Sequence, residues 1–262
     1  MADLPERIGS TSNGLRIPQD KFLKSPLETD HEGVAKQIKL AFAVESGVLQ
    51  RLGTHPRIVK YLGKRGNGLL FGEASHGNLQ TYIDANNPSI ELFQRQKWCY
   101  QSAQAVAYIH SCGVIHSDLR PENILVHETG PGILEPLLCD FGGAVCDELG
   151  LDGEQLPNDP FCHPALDFYT KVTTAVDIFS LGSIFYTILT GYWPYRTQAF
   201  YSSTDEYWDY LDRVALLFKQ GMYPDVTGLV GGEVIKRCWT REFTTVQQIL
   251  DALAKHMPLE GC

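Results

Sequence analysis

The chain has 262 residues, of which 44% are hydrophobic and 20% are charged, and its formal net charge is −9 at pH 7. This composition is typical of a globular protein with one large or two small domains. The acidic balance argues against a nucleic-acid-binding surface and favours basic partners. The longest apolar run, residues 178–189, is too short to cross a membrane.

The seven cysteines are scattered along the chain without the spacing of a metal site. The N-terminal residues contain no apolar core of a signal peptide. These two features predict free thiols in a reducing compartment, and therefore a cytoplasmic protein.

Residues 31–52 have the pattern of an amphipathic helix. The run Thr29-Asp-His-Glu32 is typical of a capping box, and Gly53 begins a run that ends the helix. The predicted buried face consists of apolar residues at spacings of three, four or seven, namely Val34, Ile38, Ala41, Val48 and Leu52. Glu45 falls on this face, where a carboxylate needs a cation.

Downstream of this helix, the pattern predicts two strands at residues 58–63 and 68–72, joined by a turn at residues 64–67. A long helix follows at residues 90–112, and Gly113 ends it. The apolar face of that helix contains Cys99, Ala103, Val106 and His110. We expect His110 to be a core histidine and not a catalyst.

The C-terminal third of the chain is predicted to be helical. A helix that begins near Thr173 is apolar nearly all round, so it should be buried on every side. The capping box Ser203-Thr-Asp-Glu206 begins the next helix, whose predicted buried face is Trp208, Leu211, Val214 and Phe218. Two more helices are expected at residues 234–239 and 246–253.

The densest set of chemically useful side chains lies in residues 116–125, His-Ser-Asp-Leu-Arg-Pro-Glu-Asn-Ile-Leu, followed by Leu-Leu-Cys-Asp-Phe-Gly-Gly at residues 137–143. Phosphoryl transfer from a nucleotide needs one carboxylate to orient a hydroxyl and accept its proton, and a cation for the transferring phosphate. It also needs an amide and a second carboxylate to hold divalent metal. The residues Asp118, Arg120, Asn123 and Asp140 supply these groups in this order.

Flanked by strand-like runs, this set resembles the catalytic loop and the metal-binding loop of the eukaryotic protein kinases. The resemblance implies an α+β, two-lobed fold, with a small β-rich N-lobe carrying one helix (residues 1–72) and a mainly helical C-lobe (residues 73–262). It implies ATP with Mg²⁺ or Mn²⁺, and a protein substrate or binding partner that stays open, as does the oligomeric state. Asp118 would orient the hydroxyl, Arg120 would steady the γ-phosphate, and Asn123 and Asp140 would bind metal.

The resemblance also assigns residues of the N-lobe. Lys24, on a short strand, would anchor ATP and pair with Glu45; the rival Lys36 lies too close to Glu45 and belongs to the same helix. The alternative for Glu45 is a partly exposed position at the edge of the helix face. Residues 7–15 resemble a degenerate phosphate-covering loop, in which Gly9 and Gly14 match the outer glycines and Thr11 replaces the middle one. A polar surface turn is the alternative there.

Residues 73–79 resemble the hinge between kinase lobes. By this match Phe71 is the gatekeeper, which is compatible with ordinary core packing. The backbone of Gly72, Glu73 and Ala74 would bind the adenine, and Asn78 would lie near the ribose. Asp177, at the start of the buried C-lobe helix, would brace the backbone of the catalytic loop.

Residues 141–163 correspond to the activation segment and contain no Ser, Thr or Tyr. Ser117 stands where many kinases have an arginine that pairs with a phosphate in this segment, so ordering by phosphorylation is not expected. We expect the segment to be mobile or held by apolar packing, and docking on C-lobe arginines is the alternative. Its acidic residues are Asp147, Glu148, Asp152, Glu154 and Asp159, and its candidate packing residues are Leu149, Leu151, Leu156 and Phe161.

One departure from the family is the run His163-Pro-Ala165 in place of Ala-Pro-Glu, with Asp167 as a candidate substitute for the missing glutamate. The sequence leaves two functions open. The first is a Ser/Thr-type protein kinase, and the second is a pseudokinase that binds nucleotide weakly or not at all and acts through partners. A small-molecule kinase of the aminoglycoside or choline type is disfavoured by the Asp177-x-x-Ser-Leu-Gly182 helix and the Cys238-Trp239 pair.

Overall fold

The computed structural model describes residues 6–8, 11–162, 171–197 and 203–258. The strands within these ranges are β1 (Glu6–Ile8), β2 (Ser12–Ile17), β3 (Lys21–Pro26), β4 (Tyr61–Arg65), β5 (Gly68–Gly72), β6 (Ile124–Gly130), β7 (Ile133–Leu138), β8 (Val145–Cys146) and β9 (Leu151–Asp152). The helices are α1 (Glu32–Leu52), α2 (Leu79–Asn86), α3 (Leu92–Ser111), α4 (Thr174–Thr190), α5 (Thr204–Lys219), α6 (Gly232–Trp239) and α7 (Val246–His256).

The N-terminal part is a five-stranded sheet with the order β1-β2-β3-β5-β4, and its pairs are antiparallel. Lys24 lies in β3, opposite Gly14 of β2 on one side and Leu69 of β5 on the other. Helix α1 is the helix that accompanies this sheet, and the chain beyond β5 is mainly helical. The predicted α+β protein kinase-like fold class is therefore confirmed.

Helix α1 forms as predicted, but its cap and buried face differ from expectation. His31 caps the helix, because its Nδ1 accepts a hydrogen bond from the N–H of Val34 at 3.4 Å. Thr29 instead accepts from the N–H of His31. Val34, in the first turn of the helix, is 37% exposed. The burial of α1 begins further along, at Ile38, Phe42, Val44, Glu45, Ser46, Val48, Leu49 and Leu52.

The fourth strand begins later than the pattern predicts. Ile58 and Val59 precede β4, and they pair with the C-terminal part of the chain instead: Ile58 forms a parallel bridge with Leu138, and the N–H of Val59 donates to the carbonyl of Leu138. Strand β4 also ends later than predicted, at Arg65, so the turn to β5 is shorter than expected. The segment before β4 thus ties the small sheet to the β6–β7 hairpin.

Helix α4 is the centre of the C-terminal part, as its apolar sequence predicts. Thirteen of its residues are buried, including Ser180, Gly182 and Ser183. A Cβ on Gly182 would lie 2.8 Å from the Cβ of Cys238, so glycine allows α6 to approach α4 closely. The indole of Trp239 then donates to the hydroxyl of Ser183 at 3.0 Å. The predicted Cys-Trp pair is a core contact of α6.

Helix α5 has the predicted cap, since Ser203 accepts from the N–H of Glu206. Leu211, Val214 and Phe218 are buried as expected. The prediction for Trp208 is wrong: it is 57% exposed, and Tyr210 takes the buried position instead. The buried face of α5 therefore begins at Tyr210, and Trp208 lies outside it.

Several sequence predictions lie outside the described residues, namely those on Gly9, on residues 163–165 and on Asp167. Across the part of the chain that the structure describes, none of the helices combines the length and apolar character needed to span a bilayer. None of the six cysteines in the described ranges forms a disulfide.

Candidate active site

The site is built around a buried lysine held between two carboxylates. The Nζ atom of Lys24 lies 2.7 Å from Oε2 of Glu45 and 2.7 Å from Oδ1 of Asp140. Strand β3 supplies the lysine, α1 supplies the glutamate, and the turn after β7 supplies the aspartate. The predicted Lys24–Glu45 ion pair is present, and Lys36 is exposed and pairs with Glu32 on the surface of α1.

Charge coupling decides the protonation of this cluster. Burial lowers the pKa of Lys24, but the carboxylates of Asp140 and Glu45 outweigh it and raise the pKa above its ordinary value. Burial raises the pKa of Glu45, and Lys24 offsets only part of that effect. For Asp140 burial also opposes ionisation, but Lys24 prevails and lowers the pKa. Lys24 is therefore a cation and Asp140 an anion near neutral pH.

The catalytic-loop candidates lie close together beside this cluster. The Nδ2 atom of Asn123 donates to the backbone carbonyl of Asp118 at 2.7 Å and to its Oδ2 at 3.0 Å. A guanidinium nitrogen of Arg120 lies 3.6 Å from the same Oδ2. Asp118 is 8% exposed and Asn123 is 3% exposed. The structure thus gathers the carboxylate, the cation and the amide that the sequence singled out.

The surroundings of Asp118 favour its use as a proton acceptor. Burial raises the pKa of this carboxyl, while Arg120 and His116 lower it by a smaller amount. A carboxylate with a raised pKa accepts a proton more readily than a free one. Asp118 also raises the pKa of Arg120, against the effect of burial, so the guanidinium stays charged beside it.

Asp177 fixes the backbone that carries Asp118. Its two oxygens accept hydrogen bonds from the N–H groups of His116 and Ser117, each at 2.9 Å. Its Oδ2 also lies 2.8 Å from Nε2 of His110, so this half-buried histidine has a hydrogen-bond partner, as expected. Asp177 is fully buried and therefore acts as a rigid brace, as predicted.

A second contact joins the catalytic loop to the turn that carries Asp140. The Nε2 atom of His116 lies 2.9 Å from the carbonyl oxygen of Cys139, and its ring lies 5.0 Å from the ring of Phe141. Asp140 itself has a left-handed backbone conformation, with φ of 61°. This turn directs the aspartate toward Lys24 while Phe141 enters the core.

The predicted hinge residues follow β5. Phe71 is 5% exposed and its ring contacts that of Tyr61, so it belongs to the core of the small sheet. The N–H of Gly72 donates to Lys60, and that of Glu73 donates to Asp20. Asn78 caps α2, because its side-chain oxygen accepts from the N–H of Thr81 at 2.9 Å.

The donor set suits a hard divalent cation. Asn123 uses its amide nitrogen on Asp118, which turns its oxygen the other way, and Asp140 uses one oxygen on Lys24. Amide and carboxylate oxygens are the ligands that Mg²⁺ prefers, and Mg²⁺ sites usually combine one or two carboxylates with water and phosphate oxygens. Asn123 and Asp140 therefore fit the metal that the resemblance implies.

The activation segment is folded back on itself. Strands β8 and β9 pair, and Glu148 forms an ion pair with Arg51 of α1 while Asp147 pairs with Lys171. Of the predicted packing residues, Phe161 is buried, but Leu149 is 43% exposed because it lies at the tip of the hairpin. The arginine that receives the acidic segment belongs to α1, not to the C-lobe as the alternative supposed.

Ser117 is a functional candidate that the sequence reasoning missed. In the sequence it stands out only because an arginine is absent, but in the structure its hydroxyl contacts the carbonyls of Gly143 and Gln155. Because both acceptors are backbone groups, no side-chain pattern in the sequence points to them.

Comparisons with known proteins agree with this geometry. A family model described as "Protein kinase domain" matches residues 26–237. The chain is 32% identical over 182 residues to the serine/threonine-protein kinase PkaA of Streptomyces coelicolor, which covers 67% of this chain and 32% of the relative. It is 33% identical over 170 residues to the serine/threonine-protein kinase SBK2 of Rattus norvegicus, which covers 59% of this chain and 45% of the relative. The chain thus spans less than half the length of these curated relatives.

A crystal structure described as Rad53 kinase domain and SCD2 has a TM-score of 0.66 and covers 96% of this chain and 90% of that chain, at 20% sequence identity. At this identity the likeness concerns the fold alone. The family model, however, spans well over half of the residues and includes Glu45, Asp118, Asn123 and Asp140. The chain belongs to the protein kinase domain family.

Proposed function

We propose that this protein transfers the γ-phosphate of ATP to a serine or threonine hydroxyl of a protein, and that phosphorylation of its activation segment does not control it. The observation that carries the proposal is the position of Lys24, 2.7 Å from both Glu45 and Asp140. Such an arrangement offers a fixed cation to a nucleotide phosphate and a carboxylate to a metal. The cleft would lie between an N-lobe of residues 1–72 and a C-lobe of residues 73–262.

Each residue then has one task. Lys24 binds phosphate oxygens and Glu45 holds it in place. Asp118 accepts a hydrogen bond from the substrate hydroxyl, orients its oxygen and receives its proton, and Arg120 stabilises the charge of the transferring phosphoryl group. Asn123 and Asp140 would hold Mg²⁺ or Mn²⁺, which supplies charge neutralisation on the phosphates when bound. Phe71, the backbone of residues 72–74 and Asn78 would receive the adenosine.

A pseudokinase is the second candidate. It is favoured by Thr11, which replaces the middle glycine of the phosphate-covering loop. A side chain there narrows the space above the phosphates. In this case the protein would bind nucleotide weakly or not at all, and its kinase fold would serve as an interaction module.

A thermal-shift titration with ATP, with and without Mg²⁺ or Mn²⁺, separates the two candidates. A kinase should show a metal-dependent rise in melting temperature, because a ligand that binds only the folded state stabilises it by mass action. A melting temperature that ATP and metal leave unchanged would favour the pseudokinase. Phosphatase treatment should leave the activity as it was, since residues 141–163 offer no hydroxyl to phosphorylate.

The roles of the two aspartates can be separated by amide substitution. Asp140→Asn should abolish the metal-dependent ATP shift, because a neutral amide holds Mg²⁺ poorly. Asp118→Asn should keep the shift and lower turnover by about 100-fold or more, since it removes the proton acceptor. Equal loss of ATP binding in both variants would contradict the assigned roles.

A further inference from the structure

Ser117 joins the catalytic loop to both ends of a hairpin. Its side chain is completely buried between His116 and Asp118. Its Oγ atom lies 2.9 Å from the carbonyl oxygen of Gly143 and 2.6 Å from that of Gln155. A hydroxyl carries one proton, so the two carbonyls share a single donor. We name residues 143–155 the activation hairpin.

The activation hairpin is closed by its own backbone and docked on the catalytic loop. Val145 pairs with Asp152, Cys146 pairs with Leu151, and the N–H of Gly153 donates to the carbonyl of Ala144 at 3.1 Å. Ile115 and Val145 exchange two hydrogen bonds, of 2.9 and 2.8 Å. Ser117 lies two residues beyond Ile115 and extends this docking to the open end of the hairpin.

The close approach of the two hairpin ends depends on glycine. A Cβ on Gly153 would lie 2.2 Å from the carbonyl oxygen of Gly142 and 2.5 Å from the Cα of Gly143. A Cβ on Gly143 would lie 2.8 Å from the Cβ of Gln155. Side chains at these positions would push the ends apart, and the hydroxyl of Ser117 could then no longer reach both carbonyls.

The other side of the activation hairpin contacts α1, the helix that carries Glu45. Leu151 packs directly on Gly47, where a Cβ would lie 2.7 Å from its Cδ1. Glu148 forms an ion pair with Arg51, whose Nε also donates to the carbonyl of Cys112 at 2.7 Å. The hairpin therefore sits between the helix that supplies Glu45 and the loop that supplies Asp118.

We propose that Ser117 is a positioning residue for phosphoryl transfer, whose hydroxyl latches the activation hairpin closed and so keeps α1 and the catalytic loop aligned without a phosphate. An arginine at this position would need an anion, and the hairpin offers none at Gly143 or Gln155. A neutral hydroxyl needs only the two carbonyls that are present. This inference rests on the proposed function, because the alignment matters only if the site transfers phosphate.

Amide hydrogen exchange of the full chain tests the latch directly. Ser117→Ala should accelerate exchange at the N–H groups of Val145 and Gly153 by about fivefold to tenfold, the effect of losing one hydrogen bond on a local opening equilibrium. Ser117→Gly should do the same; since glycine accepts the φ of 63° found at Ser117, backbone strain cannot explain its effect. Gly153→Ala should open the same hairpin without altering the catalytic loop.

Ser180→Ala is the matched control, because Ser180 is also a fully buried serine that donates to a loop carbonyl, that of Phe161. It should leave exchange in the activation hairpin within twofold of the wild type. Where phosphotransfer is measurable, the Ser117 and Gly153 variants should lower kcat more than the control does. Hairpin exchange that stays within twofold in both Ser117 variants, or that rises equally in Ser180→Ala, would overturn the latch. A wild type without phosphotransfer would overturn the proposed function, and exchange would still decide the latch.

Discussion

Two buried cations, one in each half of the molecule, are stabilised by different kinds of partner. Lys24 and Arg95 are each 7% exposed. Lys24 is bound by the carboxylates of Glu45 and Asp140. Arg95, on α3, donates instead to the carbonyl oxygens of Ile90, Ile188 and Asn87, and to the side-chain oxygen of Asn87.

The kind of partner distinguishes a site that can bind a ligand from a purely structural contact. Carboxylates titrate and can exchange one cation for another, so the Lys24 cluster can rearrange around the phosphate and metal of the proposed function. The backbone carbonyls that bind Arg95 are fixed by the fold, so its guanidinium cannot exchange them for a ligand. Arg95 therefore holds together α4, the turn after α2 and the start of α3. A buried charge with ionisable partners marks chemistry here, while one with dipolar partners marks stability.

The largest effect on stability is expected for Arg95→Met. This change keeps the apolar stem, but it leaves the three carbonyls without their charged donor, so we expect the free energy of unfolding to fall by about 3 to 5 kcal/mol. Urea denaturation measures this loss. Arg213→Met is the control, because Arg213 is exposed and donates to one carbonyl, that of Tyr195, and it should cost less than about 0.5 kcal/mol.

Arg95→Met should leave the Lys24 cluster unchanged. The folded fraction of this variant should bind ATP and metal as the wild type does, because no ionisable group of the cluster is touched. An ATP-induced thermal shift that disappears in the folded Arg95→Met protein would show that Arg95 also contributes to the site.

Lys24→Met should affect ATP binding and phosphotransfer more than stability. It removes the cation that we propose binds phosphate, so phosphotransfer should fall by about 100-fold and the ATP-induced thermal shift should disappear. The loss of stability should be smaller than for Arg95→Met, because Glu45 can take up a proton when its cation is gone. Lys36→Met, at an exposed lysine of α1, is the control and should change neither quantity. ATP binding that survives Lys24→Met would refute the assignment.

The contrast also explains what the sequence could predict. The apolar face of α1 predicts that Glu45 needs a cation, and the resemblance to the protein kinases, with the spacing that excludes Lys36, identifies Lys24 as that cation. The same resemblance identifies Asp118, Asn123 and Asp140, because each lies in a short run of residues that matches a kinase motif. Arg95 and Ser117 were missed because their partners are backbone carbonyls, which every residue has. The prediction for Trp208 is wrong because the spacing of apolar residues defines the buried face of a helix only to within part of a turn.

Asp159, in the activation segment, is a half-buried carboxyl that contrasts with both cations, because no charged partner faces it among the described residues. Burial raises the pKa of Asp159 from its ordinary value of 3.8 to about 6, and its backbone hydrogen bond offsets little of this. Between these two values the folded state holds a proton that the unfolded state has lost, so this residue makes stability fall as the pH rises from 4 to 6. Above that range the charge is carried in the folded state at a cost.

Asp159→Asn should therefore raise the free energy of unfolding at pH 7.5 by about 1 kcal/mol, a value reduced for the partial exposure of the side chain. The gain should shrink as the pH falls and vanish near pH 4, where both states of the wild type are protonated. Melting temperatures at the two pH values measure it. Asp205→Asn, at an exposed position of α5, is the control and should show no gain that depends on pH in this way. A gain that is equal at both pH values would mean that the amide improves packing, and that the charge of Asp159 costs the fold nothing.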